Sequence, residues 1–131
     1  MRKIMGKISN MELIKRAGSV VKPRRIKGLL VGDVGCALLT VKGNVYLGVC
    51  IDAACGIGFC AEHSAIAAMV TAGESRIKKI VAVLKGGKVI PPCGRCREFI
   101  RQIDKDNINT EVVLGKNKVV KLKALLPYPW S

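Results

Sequence analysis

Aromatic side chains are nearly missing from this chain, with one Trp, two Tyr and two Phe among 131 residues. Proteins that hold single-stranded nucleic acid stack bases on aromatic faces, so this scarcity speaks against that class. Acidic residues are also few, nine against 23 Lys and Arg, which leaves a formal net charge of +14. Nine of the basic residues fall in the first 27 positions, including Lys22, Arg24, Arg25 and Lys27, opposed there only by Glu12. A basic face attracts phosphate in principle, but without interleaved aromatics it reads as a solvated surface, and nucleic acid is not the expected partner. No apolar run approaches the roughly 20 residues of a membrane span. Met1–Asn10 has basic residues but lacks the apolar stretch of a secretory signal. Internal repeats and low-complexity segments are absent as well. The expectation is a cytoplasmic protein without a membrane partner, built as one domain over residues 1–131, with residues 1–33 a basic N-terminal helical region.

Cysteine is the exception to this scarcity. Of six, Cys36, Cys50 and Cys55 lie in apolar or Gly-rich surroundings where small buried thiols are expected. The other three stand in a pattern, Cys60-Ala61-Glu62 followed by Pro92-Cys93-Gly94-Arg95-Cys96. Thiolates at Cys60, Cys93 and Cys96 fill three of the four tetrahedral positions of Zn2+, one ion per chain, and leave the fourth for a water whose pKa the metal lowers. Glu62 then has a role as proton shuttle, taking a proton from that water and returning it to a leaving nitrogen. His63 leaves an alternative open. Three residues after Cys60, it shares a helical face with it and offers a fourth ligand, which would close the site into a purely structural one. A closed site gives Glu62 no purpose, so His63 is read as a neighbour of the sulfurs.

These motifs resemble the zinc-dependent cytidine deaminase superfamily. The stretches Cys60-Ala61-Glu62-His63-Ser64-Ala65-Ile66-Ala67, Pro91-Pro92-Cys93-Gly94-Arg95-Cys96-Arg97-Glu98 and Leu125-Leu126-Pro127 are similar to its small nucleoside-type members, cytidine deaminase and blasticidin S deaminase. The resemblance runs from about Val34 to the C-terminus. It implies a three-layer α/β/α fold with a central mixed sheet of about five strands. It also implies hydrolytic deamination of a small aminated pyrimidine-like molecule, and a homo-oligomer, the tetramer being typical. Arg97 matches a family Arg that tempers the charge on the sulfurs, whereas His63 stands where a second Arg is common. Backbone N–H groups at Ala61 and Cys93 are implied contacts to substrate. The family's Asn-x-Glu for ribose is Cys50-Ile51-Asp52 here, and Gly32 replaces an aromatic that stacks on the sugar, so the sugar side is remodelled. Trp130 matches an aromatic that completes a pocket, often a neighbouring subunit's. The alternatives are a blasticidin S-type antibiotic deaminase, a deaminase acting on polynucleotide, and a non-catalytic basic zinc-stabilised binding module.

The hydrophobic periods predict an α/β order. Ser9-Asn10-Met11-Glu12 fits a capping box opening a helix with Leu13, Ile14, Ala17 and Val20 or Val21 on its apolar face, ended by Pro23. Val34–Val41 and Val45–Ile51 predict a hairpin turned at Lys42-Gly43-Asn44. A helix over Cys60–Thr71 stopped by Gly73, a strand over Ile80–Leu84, a helix over Cys93–Ile103, and strands over Glu111–Leu114 and Val119–Leu122 complete the layout.

Overall fold

A computed structural model describes residues 8–131. The first seven positions of the basic region, and most of the stretch read for a secretory signal, lie outside the described residues. The elements run α1 (Asn10–Ser19), β1 (Arg24–Ile26), β2 (Leu29–Thr40), β3 (Val45–Asp52), α2 (Ala61–Thr71), β4 (Ile77–Leu84), β5 (Val89–Ile90), α3 (Gly94–Ile103), β6 (Glu111–Gly115), β7 (Lys118–Lys121) and α4 (Leu122–Leu125), with short 3-10 turns at Ala54–Gly56 and Lys105–Asn109. The sheet is ordered β1-β2-β4-β6-β7, with β3 on the free side of β2 and β5 against β4. It is mixed, because β4 and β6 run parallel and the other pairs antiparallel. Seven strands replace the expected five or so. The two extra strands, β1 and β5, are three and two residues long. Such lengths carry no period of their own and form because a neighbour offers free ladder groups.

Side-chain alternation along β2 divides the core in two. Ala37 and Leu39 face one side, where Leu13 and Ala17 of α1 meet Val81, Val83 and Val113. Cys36 and Leu38 face the other, where Ala61, Ala65, Ile66 and Met69 of α2 and Ile100 of α3 cover the sheet. The layers are therefore α/β/α, as the resemblance implies. Ile66 and Met69 are fully buried, and cutting either to Ala would cost about 2–5 kcal/mol. The Ser9 hydroxyl caps α1 by accepting the Glu12 N–H at 3.0 Å, while the Glu12 carboxylate turns to Arg16 at 3.1 Å, so half of the capping box forms. The region expected to be helical up to residue 33 is helical only to Ser19. Beyond Pro23 the chain turns into β1 and the start of β2.

Two details of this frame place the site. A Cβ at Gly48 would come within 2.4 Å of the Ala65 N and 2.8 Å of the Ala61 O. Only glycine lets α2 lie this close to β3, which fixes where its first turn points. In β2, Val31 and Gly35 are four positions apart while their partners in β3, Ile51 and Val49, are two apart. The excess forms a bulge at Gly32-Asp33-Val34, with Gly32 at φ 84°. Bulges bend a strand and re-aim its side chains. The freed Val34 N–H donates to the Cys50 Sγ at 3.4 Å.

Candidate active site

Both metal-motif segments end as helix caps. Cys60 is the N-cap of α2 and Cys93 the N-cap of α3, each with extended backbone and no side-chain capping bond, so their sulfurs are free for another partner. Cys96 follows within the first turn of α3 and is fully buried. A paired bridge between Ile51 and Phe59, with N–H···O distances of 3.0 and 2.9 Å, ties the residue before Cys60 to β3 and sets its position. The three sulfurs converge. Cys60 and Cys96 each lie 3.6 Å from the Cys93 Sγ, and all three fall within 4.8 Å of one another. Tetrahedral Zn–S bonds of about 2.3 Å require sulfurs about 3.8 Å apart, so the set is nearly at ligation spacing.

The thiols' acidities show why a cation belongs there. Burial pushes Cys60 up, reinforced by Cys93, and burial followed by Glu62 and Cys60 pushes Cys96 up strongly. Cys93 differs. Its burial works against ionisation but is outweighed by the Cys96 N–H, the neighbouring thiols and the Arg95 N–H, and it is lowered. Helix-start N–H groups thus favour one thiolate, and three together need a divalent ion.

His63 is not part of this convergent set among the described residues. Its Nδ1 lies 3.4 Å from the Cys96 Sγ, and its ring stacks on Phe99 with centroids 4.4 Å apart and planes 13° from parallel. It is built as a neighbour of one sulfur. Burial, then Arg95, holds its pKa below the ordinary value, which favours the neutral ring. Arg97, directly after Cys96, is held by two backbone carbonyls. Its Nε donates to the Pro92 carbonyl at 2.8 Å and its guanidinium to the Leu125 carbonyl at 3.2 Å, so its side chain ties the metal loop to the C-terminal segment.

A cavity of about 540 Å³ opens on Cys60 and Cys93 and is also lined by Glu62, Ala61, Cys50 and Asp52. Glu62 is 5% exposed. Burial pushes its pKa up, opposed by its own N–H and by Cys96. A carboxylate held so is suited to accepting and giving back a proton near neutrality. The structure brings together the three cysteines, Glu62, Ala61, Cys50 and Asp52. It leaves Trp130 out of the cavity within one chain. Trp130 is 81% exposed, and its backbone N–H donates to the Glu98 carboxylate at 3.1 Å. Asp33, Phe59, Leu84, Ile90 and Arg95 also line the cavity, and sequence reading did not select them. Of these, only Arg95, between two ligand cysteines, and Phe59, next to Cys60, had a signal in their neighbours. Cys36 and Cys50 are buried as expected, whereas Cys55 is exposed at φ 60° in the 3-10 turn, a position outside the core.

Comparison with known proteins agrees with this geometry. The family described as cytidine and deoxycytidylate deaminase zinc-binding region matches residues 12–112. A cytidine deaminase of Halalkalibacterium halodurans is 34% identical over 84 residues, covering 63% of this chain. The match spans 62% of that relative, less than two thirds of its length. A blasticidin-S deaminase of Bacillus cereus is 31% identical over 107 residues, 75% of this chain and 76% of its own. The crystal structure of cytidine deaminase from Mycobacterium tuberculosis superposes with a TM-score of 0.77 at 25% identity, covering 93% of this chain and 96% of that one. With the family matched over most of its length and three sulfurs spaced for zinc, the chain belongs to the cytidine and deoxycytidylate deaminase zinc-binding family.

Proposed function

We propose that this chain is a hydrolytic deaminase that exchanges the exocyclic amine of a cytidine-like nucleoside or related aminated heterocycle for a carbonyl, with release of ammonia. The observation that carries the reading is the presence of Glu62, buried and with a raised pKa, on the same cavity wall as the cysteine cluster. Cys60, Cys93 and Cys96 would hold one zinc, and His63 would steady Cys96. When bound, zinc supplies the acidity that brings a water within reach of deprotonation near neutral pH. Glu62 takes that proton, and the same carboxyl group later delivers a proton to the departing nitrogen. The Ala61 N–H, at the start of α2, is available to the substrate's polar edge. Cys50 also lines the cavity, and the Val34 N–H, donating to its sulfur, fixes its position.

The test combines zinc analysis with ammonia release from cytosine, cytidine, cytidine 5′-monophosphate and aminated heterocycles of the blasticidin S type. The expected result is one zinc per chain and turnover on at least one member. A zinc-free, folded and active protein would overturn the reading. A blasticidin S-type substrate is the second reading, favoured by the 31% identity to a blasticidin-S deaminase over most of both chains.

The proposal extends to a single deaminase domain working as a cytoplasmic homo-oligomer, most simply a tetramer. Its support is the exposure of Tyr128 and Trp130, 92% and 81%, on a tail that Arg97 and Glu98 hold to α3. Apolar surface of this kind on a small domain fits a subunit contact. Light scattering that shows a monomer at micromolar concentration, unchanged when residues 128–131 are deleted, removes the tail from any interface.

A further inference from the structure

The six cysteines differ in what surrounds them. Cys36 and Cys50 are buried and Cys55 is exposed, and none of these belongs to the convergent group among the described residues. Cys60, Cys93 and Cys96 do belong to it, and access to them is graded. Cys93 is exposed, Cys60 partly so, and Cys96 fully buried. Cys60 and Cys93 line the cavity, so a small solute that enters it meets those two sulfurs first.

Cys93 combines that access with contact. Its sulfur lies 3.6 Å from the Cys60 Sγ and 3.6 Å from the Cys96 Sγ. A disulfide needs sulfurs about 2.05 Å apart, so closure from 3.6 Å takes a shift of about 1.6 Å. Cys60 and Cys93 are N-caps without a side-chain capping bond, so neither sulfur gives up a helix partner in moving. Cys93 and Cys96 also form a Cys-x-x-Cys at a helix start, the separation at which protein dithiols close and reopen. The three sulfurs cannot serve both ends. A zinc site of this kind needs all three as thiolates, and a disulfide withdraws two of them.

We propose that the cluster is also a redox-sensitive modification site, in which a peroxide oxidises Cys93, a disulfide closes to Cys60 or Cys96, and zinc is released until a thiol reductant reopens the bond. The Cys93 sulfur attacks one oxygen of hydrogen peroxide and the O–O bond breaks. The other oxygen leaves as hydroxide and becomes water with a proton from the thiol or, where zinc has displaced that proton, from solvent. Cys93 is then a sulfenic acid. The Cys60 or Cys96 sulfur attacks it, the S–O bond breaks, and a second water leaves. Two thiols have lost two electrons and the peroxide has gained them. A dithiol undoes the bond by exchange and departs as its own disulfide. Cys55 is as open to peroxide as Cys93 but stands outside the convergent group, so exposure alone does not make this site.

The experiment treats zinc-loaded protein with stoichiometric hydrogen peroxide. It follows zinc release with a chromogenic chelator, free thiols by titration after denaturation, and disulfide linkage by peptide mass mapping. The expected result is loss of the zinc together with two of the six thiols, in a disulfide between Cys93 and either Cys60 or Cys96. Dithiothreitol followed by added zinc should restore all six thiols and the bound metal, and excess zinc present from the start should slow the loss. Cys55→Ser should release the same zinc and lose the same two thiols. Zinc retained under peroxide, zinc released without a disulfide, a disulfide that omits Cys93, or a thiol loss that Cys55→Ser abolishes overturns the proposal. None of these measurements uses ammonia. A protein that deaminates no compound yet releases zinc as the disulfide closes therefore loses the function proposed above and keeps the switch.

Discussion

Two carboxylates flank α2, Glu62 in its first turn and Glu74 just past its end, and both are nearly out of solvent at 5% and 9% exposed. They titrate in opposite directions. Glu62 is raised, first by burial. Burial also works to raise Glu74, but bonding from Thr40, Asn44 and Tyr46 outweighs it and the pKa is lowered. The Glu74 Oε2 accepts from the Asn44 side-chain amide and the Tyr46 hydroxyl, each at 2.8 Å, while Oε1 is buried without a partner. The difference teaches that burial of a charge does not identify a working group. What separates the two is satisfaction by fixed donors. A carboxylate supplied with them joins the β2–β3 turn to the end of α2 as the lowered group, and one beside a cavity, where burial outweighs its donors, keeps a raised pKa.

The largest effect should come from removing the reason Glu62 is held there. Cys93→Ala leaves two sulfurs, so zinc content should drop well below one per chain, ammonia release should vanish, and the thermal midpoint should fall, because metal binding contributes folding free energy. Metal analysis and calorimetry on the same preparation check it. A Cys93→Ala protein with full zinc and an unchanged midpoint would detach the cluster from metal binding.

Next in size, Glu62→Gln should lower ammonia release by about 10²–10⁴-fold or more while zinc stays stoichiometric and the midpoint is unchanged or higher. The amide keeps the volume and discards the buried charge. Wild-type turnover with metal retained would take Glu62 out of the mechanism.

Glu74→Gln should reverse the pattern, with stability lower by about 1–3 kcal/mol and activity per folded molecule unchanged. Denaturant unfolding and initial rates, measured side by side, decide whether the two ends of α2 differ as described. The sign of the pH effect follows. A carboxyl lowered by folding stabilises above its unfolded pKa, and that stability is lost as pH falls through the lowered folded value. Wild type should therefore lose part of its stability in the acid range, and Glu74→Gln should show a flatter profile there. Glu62, raised on folding, contributes with the opposite sign. A variant profile parallel to wild type would show that Glu74 does not hold the turn as described.

The smallest effect concerns Arg97. Because its bonds go to the Pro92 and Leu125 carbonyls, Arg97→Lys should keep zinc stoichiometry and lower stability by about 1 kcal/mol per lost bond. Zinc loss on that conservative change would instead show that the guanidinium steadies the sulfurs.

How much was legible varies from residue to residue. Cys60, Cys93, Cys96 and Glu62 were readable because a zinc site depends on residue type and local spacing, and a helix N-terminus orients its own first turn. The faces of α1 and α2, and the turn at Lys42-Gly43-Asn44, were readable for the same local reason. Glu74 carried no signal, since its partners Asn44 and Tyr46 lie 30 and 28 residues away. Asp33 was hidden by a bulge that only the β2–β3 register reveals. β1 and β5 were hidden because their lengths fall below any period. The carbonyl partners of Arg97 were not legible, because Leu125 lies 28 residues away and a long side chain goes to whatever carbonyl the fold presents.

The sequence by itself determined the metal-binding chemistry, the proton-shuttle candidate and the α/β layering, all of which follow from residue type, spacing of a few residues and hydrophobic period. Tertiary structure alone decided which buried carboxylate lines the cavity and which is met by fixed donors, that Asp33 reaches the cavity, and that His63 lies beside one sulfur, outside the convergent set of three. Those outcomes depend on distances between segments far apart in sequence, and spacing along a chain does not encode them until packing closes α2 and α3 over the sheet.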